Sequence, residues 1–214
     1  MDHFDRPRQA LAIAIAFLAG FVDALGFLSG DRYFVSFMSG NTTRLAVDLA
    51  TEPRRAVMPA LLIAGFVAGV AGGRVIAVQA GAWRKSVLLG IVTLLLASGA
   101  VLHGADAGGA ALGAMVLAMG AVNNSFQRDG AAAVGLTYMT GALVRLGQVI
   151  GAALTGERQT GWGAYLLLWC GLLGGAVAGA LLFTRFGQPA LWLSALLAAA
   201  LAIAAWRIAA RAPH

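Results

Sequence analysis

The chain has 214 residues, of which 60% are hydrophobic and only 11% charged, with a mean hydropathy of +0.81. Soluble domains carry about 25% charged residues, so this composition excludes a soluble globular protein and assigns a polytopic membrane protein. The net charge of +6 and pI near 10.7 do not argue for nucleic acid, because the basic residues fall singly or in pairs between apolar runs, as in cytoplasmic loops and interface anchors.

The first nine residues are a short polar lead carrying Arg6 and Arg8. The apolar run that follows, about 10–28, has the basic start of a signal peptide. Its far end, however, matches an internal segment, so it reads as the first membrane helix. Seven further apolar elements follow at about 33–50, 57–80, 86–103, 111–127, 133–154, 163–184 and 190–210. The runs are about 18–24 residues long, the length that crosses a bilayer. Their links are short, and Pro53 and Pro189 mark breaks while Pro59 takes an early helical position, where a missing N–H is tolerated. Trp83, Trp162, Trp192 and Trp206 stand near run ends, as an interfacial aromatic belt requires. One cysteine, Cys170, excludes an intrachain disulfide, and His3, His103 and His214 lack ligand spacing; no metal or cofactor is expected.

Self-comparison carries the strongest signal. Gly20-Phe21-Val22-Asp23 aligns with Gly120-Ala121-Val122-Asn123, Met38-Ser39-Gly40 with Met139-Thr140-Gly141, and Arg44-Leu45 with Arg145-Leu146. Gly65, Gly69 and Gly73 align with Gly171, Gly175 and Gly179, a glycine at every fourth position in both halves. The expected fold is all-α, one membrane domain over 1–214 built of two homologous four-element repeats, 10–103 and 111–210. The glycine ladders put small residues on one helix face, where a neighbouring backbone can approach; a solute path along that face is the alternative.

Two topologies remain. Eight crossings give parallel repeats; re-entry of the second element of each repeat gives inverted ones. Of twelve Lys or Arg outside the apolar elements, the side holding both termini carries seven with eight crossings and eight with re-entry. Both splits place the termini in the cytoplasm. Element length favours eight helices, the count adopted here.

Several polar residues sit in apolar company, where a charge at the centre of a helix costs roughly 2.5–3.5 kcal/mol. Asp23 has no cation at its i±3 or i±4 positions; it reads as a functional acid, with an interfacial acid near a helix end as the plain alternative. Asn123, followed by Asn124, keeps polarity and drops the charge. Ser39, Gly40, Asn41 and Thr42, with Thr140 and Gly141 in the second half, supply hydroxyls, an amide and a glycine-freed backbone of the kind broken transporter helices present to solute. Hydrogen bonding between helices would use the same groups. Arg44 has Asp48 four residues on, within reach along one helix face. Arg145 has no local acid, so it pairs with Asp23, awaits an anionic solute group, or snorkels to the interface.

Gly20, Asp23 and Ala24, then Ser39 to Thr42, then Thr137 to Gly141, resemble the YoaK-like family of bacterial multi-pass membrane proteins over essentially the whole chain. Ser39 stands where threonine is more usual. The resemblance implies a bacterial inner-membrane protein and supplies no substrate.

The function expected is a secondary transporter or permease for a small polar or anionic solute, proton-coupled if Asp23 titrates. Its partners are the lipid bilayer and that solute, with no nucleic acid and with homo-oligomerisation left open. No phosphate-binding glycine loop offers ATP a site. The alternatives are an intramembrane scaffold or assembly protein and, third, an intramembrane enzyme, for which paired carboxylates and a nucleophile–base couple are missing.

Overall fold

The computed structural model describes residues 6–125, 127–128, 131–132, 139–157 and 162–211. Its helices are α1 (Arg6–Ser29), α2 (Met38–Thr51), α3 (Val57–Ala80), α4 (Arg84–Gly104), α5 (Gly108–Val122), α6 (Met139–Leu154), α7 (Trp162–Phe186) and α8 (Pro189–Ala210). Short 3₁₀ turns, Gly81–Trp83 and Asn123–Ser125, follow α3 and α5, and a two-residue antiparallel pair joins Gln127–Arg128 to Ala131–Ala132. Among the described residues, four helical segments are long and apolar enough to cross a membrane: Gln9–Ser29, Val57–Gly104, Trp162–Phe186 and Pro189–Ala210. The second contains α3 and α4, which fold back on each other at Gly81. There φ is +52°, a conformation that suits a residue without a Cβ.

The glycines set the packing. A Cβ on Gly171, Gly175 or Gly179 of α7 would strike the carbonyls of Ile13, Phe17 and Phe21 of α1 in turn, and one on Gly20 would strike Leu172. The numbers rise together, so α1 and α7 are parallel and in backbone contact. The pair α3 and α5 repeats the arrangement: Gly69 lies on Leu117, Gly73 on Ala121, and Gly120 on Phe66. The ladders therefore serve helix packing. α1 and α5 are the most buried helices, and their side chains, with Leu89, Val92 and Leu96 of α4 and Leu191, Ala195 and Ala198 of α8, make the core.

Direction follows from three contacts. Gly30, just past the end of α1, abuts Leu112 near the start of α5, and Met58 near the start of α3 reaches Gly109. So α1 ends where α3 and α5 begin, and α1 is antiparallel to both. We call this the opposite face and the one holding the start of α1 and the end of α8 the terminal face. α2 leaves from and returns to the opposite face, while α6 joins the end of α5 to the start of α7 on the terminal face. Length does not set α2 and α6 apart, since their 14 and 16 residues bracket the 15 of α5; what does is that the chain enters and leaves each of them on one face. The expectation of eight crossings is thus corrected. Among the described residues six helices run between the faces, and α2 and α6 do not.

Candidate functional site

The site is the loop from Gly30 into α2. After α1 the chain reverses through Asp31 and Arg32, both left-handed at φ 44° and 60°. The Tyr33 N–H donates to the Gly30 carbonyl at 2.9 Å. Residues 33–37 then run back along α1 without helical hydrogen bonds of their own, although the sequence placed a helix from 33. The Phe34 ring lies tilted against Phe27 at 5.0 Å between centroids, and Val35 packs against Gly26. The N–H groups of Val35 and Ser36 both donate to Asp23 Oδ1 at 2.8 Å. Asp23 lies six residues before Ser29, the last residue of α1, so the loop enters the protein by about 9 Å. Buried amides outside a helix need an acceptor, and Asp23 supplies it.

α2 climbs back from that depth. Asn41, fully buried, accepts the Phe34 N–H at 3.1 Å and donates to the Phe34 carbonyl at 2.7 Å. Gly40 lies in the first turn of α2, under the rings of Phe34 and Phe37. It is a packing glycine; the break in the helix precedes it. Arg44 returns to the loop mouth, where it donates to the carbonyls of Asp31 and Arg32 at 3.1 and 2.7 Å and covers the Tyr33 ring at 4.2 Å. Asp23, Asn41 and Arg44 thus complete the backbone of 31–36 from three directions. The expected Arg44–Asp48 pair is not formed, and Asp48 Oδ2 is buried without a hydrogen-bond partner. Ser39 is exposed, and the hydroxyls of Thr42 and Thr43 donate to the carbonyls of Met38 and Ser39 one turn back.

These roles predict a graded pair of variants. Asn41→Leu leaves both Phe34 groups unpaired in a buried place, at about 1–3 kcal/mol each. Arg44→Gln frees carbonyls at the loop mouth, where loss of a hydrogen bond is worth about 0.5–1.5 kcal/mol. Thermal unfolding in detergent should show Asn41→Leu as much the weaker protein; the reverse order would refute these assignments.

In the second half, Asn123 donates to the Met119 carbonyl at 2.8 Å and Asn124 to Val70 of α3 at 2.9 Å. Thr140 and Gly141 open α6, and Arg145 is half-buried along it. Thr137, used in the family resemblance, lies outside the described residues. Arg145 and Asp23 are not paired: Asp23 is committed to the loop amides on the opposite-face side, whereas α6 belongs to the terminal face. Sequence reasoning missed Tyr33, Phe34 and Ser36. The density of aromatics in a polar turn directly after Asp23 was the signal available.

Comparison with known proteins adds the following. Residues 11–204 match the family described as "Protein of unknown function (DUF1275)". A UPF0700 transmembrane protein of Rhizobium meliloti (strain 1021) is 42% identical over 204 residues, covering 94% of this chain and 88% of the relative. No solved structure gives a significant match.

Proposed function

The chain belongs to the DUF1275 family of multi-pass membrane proteins, and for it we propose, on the arrangement of its helices, a secondary transporter for a small polar or anionic solute, without enzymatic activity. The observation that carries this reading is that α2 and α6, at matched places in the sequence, each return the chain to the face it left, on opposite sides. Packing supports a duplication, since α1 on α7 has its counterpart in α5 on α3, and α2 on α3 in α6 on α7. We read residues 10–103 and 111–210 as inverted repeats, an architecture common among secondary transporters. Alternating access then amounts to one repeat moving against the other.

Orientation in the bilayer follows from charge. Among the described residues, the termini and links on the terminal face carry Arg6, Arg8, Arg84, Lys85, Arg128, Arg207 and Arg211; those on the opposite face carry Arg32, Arg54, Arg55 and Arg185. The positive-inside rule then puts both termini in the cytoplasm of a bacterial inner-membrane protein. The scaffold reading draws on one observation, that Asp23, Asn41 and Arg44 are all spent on internal backbone groups.

Uptake by proteoliposomes separates the two. Labelled acetate, succinate and inorganic phosphate should include at least one solute taken up saturably. Arg145→Ala should reduce that uptake at least tenfold, and Arg145→Lys should restore part of it. Absence of uptake across a wider panel of small polar and anionic solutes would favour the scaffold, and wild-type uptake by Arg145→Ala would remove that residue from the site.

A further inference from the structure

A cation and a carboxylate of α2 stand a single turn apart and are not paired. Arg44 spends one nitrogen, Nη1, on two neutral acceptors, the Asp31 carbonyl at 3.1 Å and the Arg32 carbonyl at 2.7 Å, and lays its guanidinium over the Tyr33 ring. No carboxylate pairs with it among the described residues. Asp48, four residues on, keeps Oδ2 buried and without a hydrogen-bond partner. Residues four apart on a helix are neighbours, about 6 Å apart along its axis, so the Arg44 side chain can reach Asp48 by rotamer changes alone.

Each seat of the guanidinium leaves something unsatisfied at the other. The two residues it clasps are both left-handed, at φ 44° and 60°, and neither is glycine. Such backbone persists only where its surroundings hold it, and Arg44 holds both carbonyls of the turn. With Arg44 on the loop, however, a buried carboxylate oxygen stays unpaired, which is unfavourable. With Arg44 on Asp48, a charge-assisted bond forms and the strained turn loses its clasp. Base before acid is the weaker order for an i,i+4 pair, so the pair does not win outright. Opposing costs keep the two arrangements close in energy, as a bistable element requires. The hairpin that would move is lightly held. Its helix, α2, packs chiefly on α3, and Thr42, Thr43, Val47 and Leu49 are exposed.

We propose that Arg44 is a two-position latch. On the carbonyls of Asp31 and Arg32 it holds loop 31–37 shut over Asp23, where the Val35 and Ser36 amides are bonded. On Asp48 it releases the turn, and the loop swings away from α1 with α2 as the gate of the opposite face. The gating role rests on the transporter reading and deepens it, by naming the element that opens on that face. Arg44 and Asp48 are positioning residues in this device; they act through the loop.

The test is amide hydrogen exchange, which reports local opening and needs no transport. Full-length protein in phosphatidylcholine nanodiscs is exchanged, and peptides covering 33–37 and α8 are followed. Asp48→Asn removes the second seat for Arg44 and should slow exchange at 33–37 at least threefold while leaving α8 unchanged. It should fold, because the oxygen it alters has no partner to lose, and Asp48→Ala should act in the same direction. Arg44→Gln should speed exchange at 33–37 at least tenfold. In the Arg44→Gln background Asp48→Asn should add nothing, since the latch is already gone. Unchanged exchange in both folded Asp48 variants, or the same slowing with and without Arg44, overturns the latch. In proteoliposomes Asp48→Asn should also lower uptake. The expected exchange pattern without uptake of any solute keeps the latch and counts against the transporter reading alone.

Discussion

Asp23→Leu is expected to produce the largest loss of stability of any single change near the loop. The substitution orphans the Val35 and Ser36 amides, both in buried residues. Each unpaired buried group costs about 1–3 kcal/mol, and the pair is a large fraction of the ~5–15 kcal/mol that holds a typical domain together. Asp23→Asn retains an oxygen at the accepting position and loses only the charge-assisted part of two hydrogen bonds, so its loss should be roughly half as large. Limited proteolysis after Arg32 and thermal unfolding in detergent would measure both. A leucine variant that melts and resists protease like the wild type would show that the loop is held by something else. The asparagine variant has a second use. Retained uptake with unchanged pH response makes Asp23 a positioning residue, whereas a folded protein that has lost proton dependence makes its charge part of the coupling.

Gly175→Ala should separate α1 from α7. A Cβ there runs into the backbone carbonyl of Phe17, which no rotamer change can move. Overpacking costs typically about 1–3 kcal/mol and more when backbone must shift. Gly174, its neighbour, would place the new carbon 3.8 Å from the Phe17 ring, an ordinary contact, so Gly174→Ala should be neutral or gain up to about 1 kcal/mol of helix propensity. The matched pair in the other half behaves alike: Gly73 is blocked by Ala121 and Asn124, and Gly72 has open space. Unfolding temperatures of the four alanine variants provide the check, with Gly175 and Gly73 low and Gly174 and Gly72 at or above wild type. Four equal values would mean that the helices can part without loss.

Much of this was readable in the chain itself. Long apolar runs between singly spaced cations could only be membrane helices, because burying a charge in lipid is costly and burying apolar surface in water-facing folds was impossible at this composition. The boundaries of α3, α4, α7 and α8 fell within a few residues of the expected ones, since long apolar helices have clear ends. The glycine ladders announced close packing, because spacing of four allows a flat helix face and little else. They could not announce the partner helix, which is chosen by the whole bundle.

The second element was where sequence reasoning failed, and the reason is physical. Tyr33 to Phe37 are as apolar as a helix interior, so hydrophobicity continued across 33–50 and length argued for a crossing. What made those residues a descending loop was the left-handed turn at Asp31 and Arg32 and a carboxylate twelve residues earlier, ready to accept two amides. Arg44 likewise left its neighbour Asp48 for carbonyls twelve and thirteen residues back, a choice invisible to i,i+4 spacing. The sequence by itself determined the membrane class, the positions of the long helices and the residues able to pack closely. Only the tertiary structure decided that α2 turns back, because that depends on polar groups far apart in the chain meeting at one depth, where each satisfies what the other leaves unpaired.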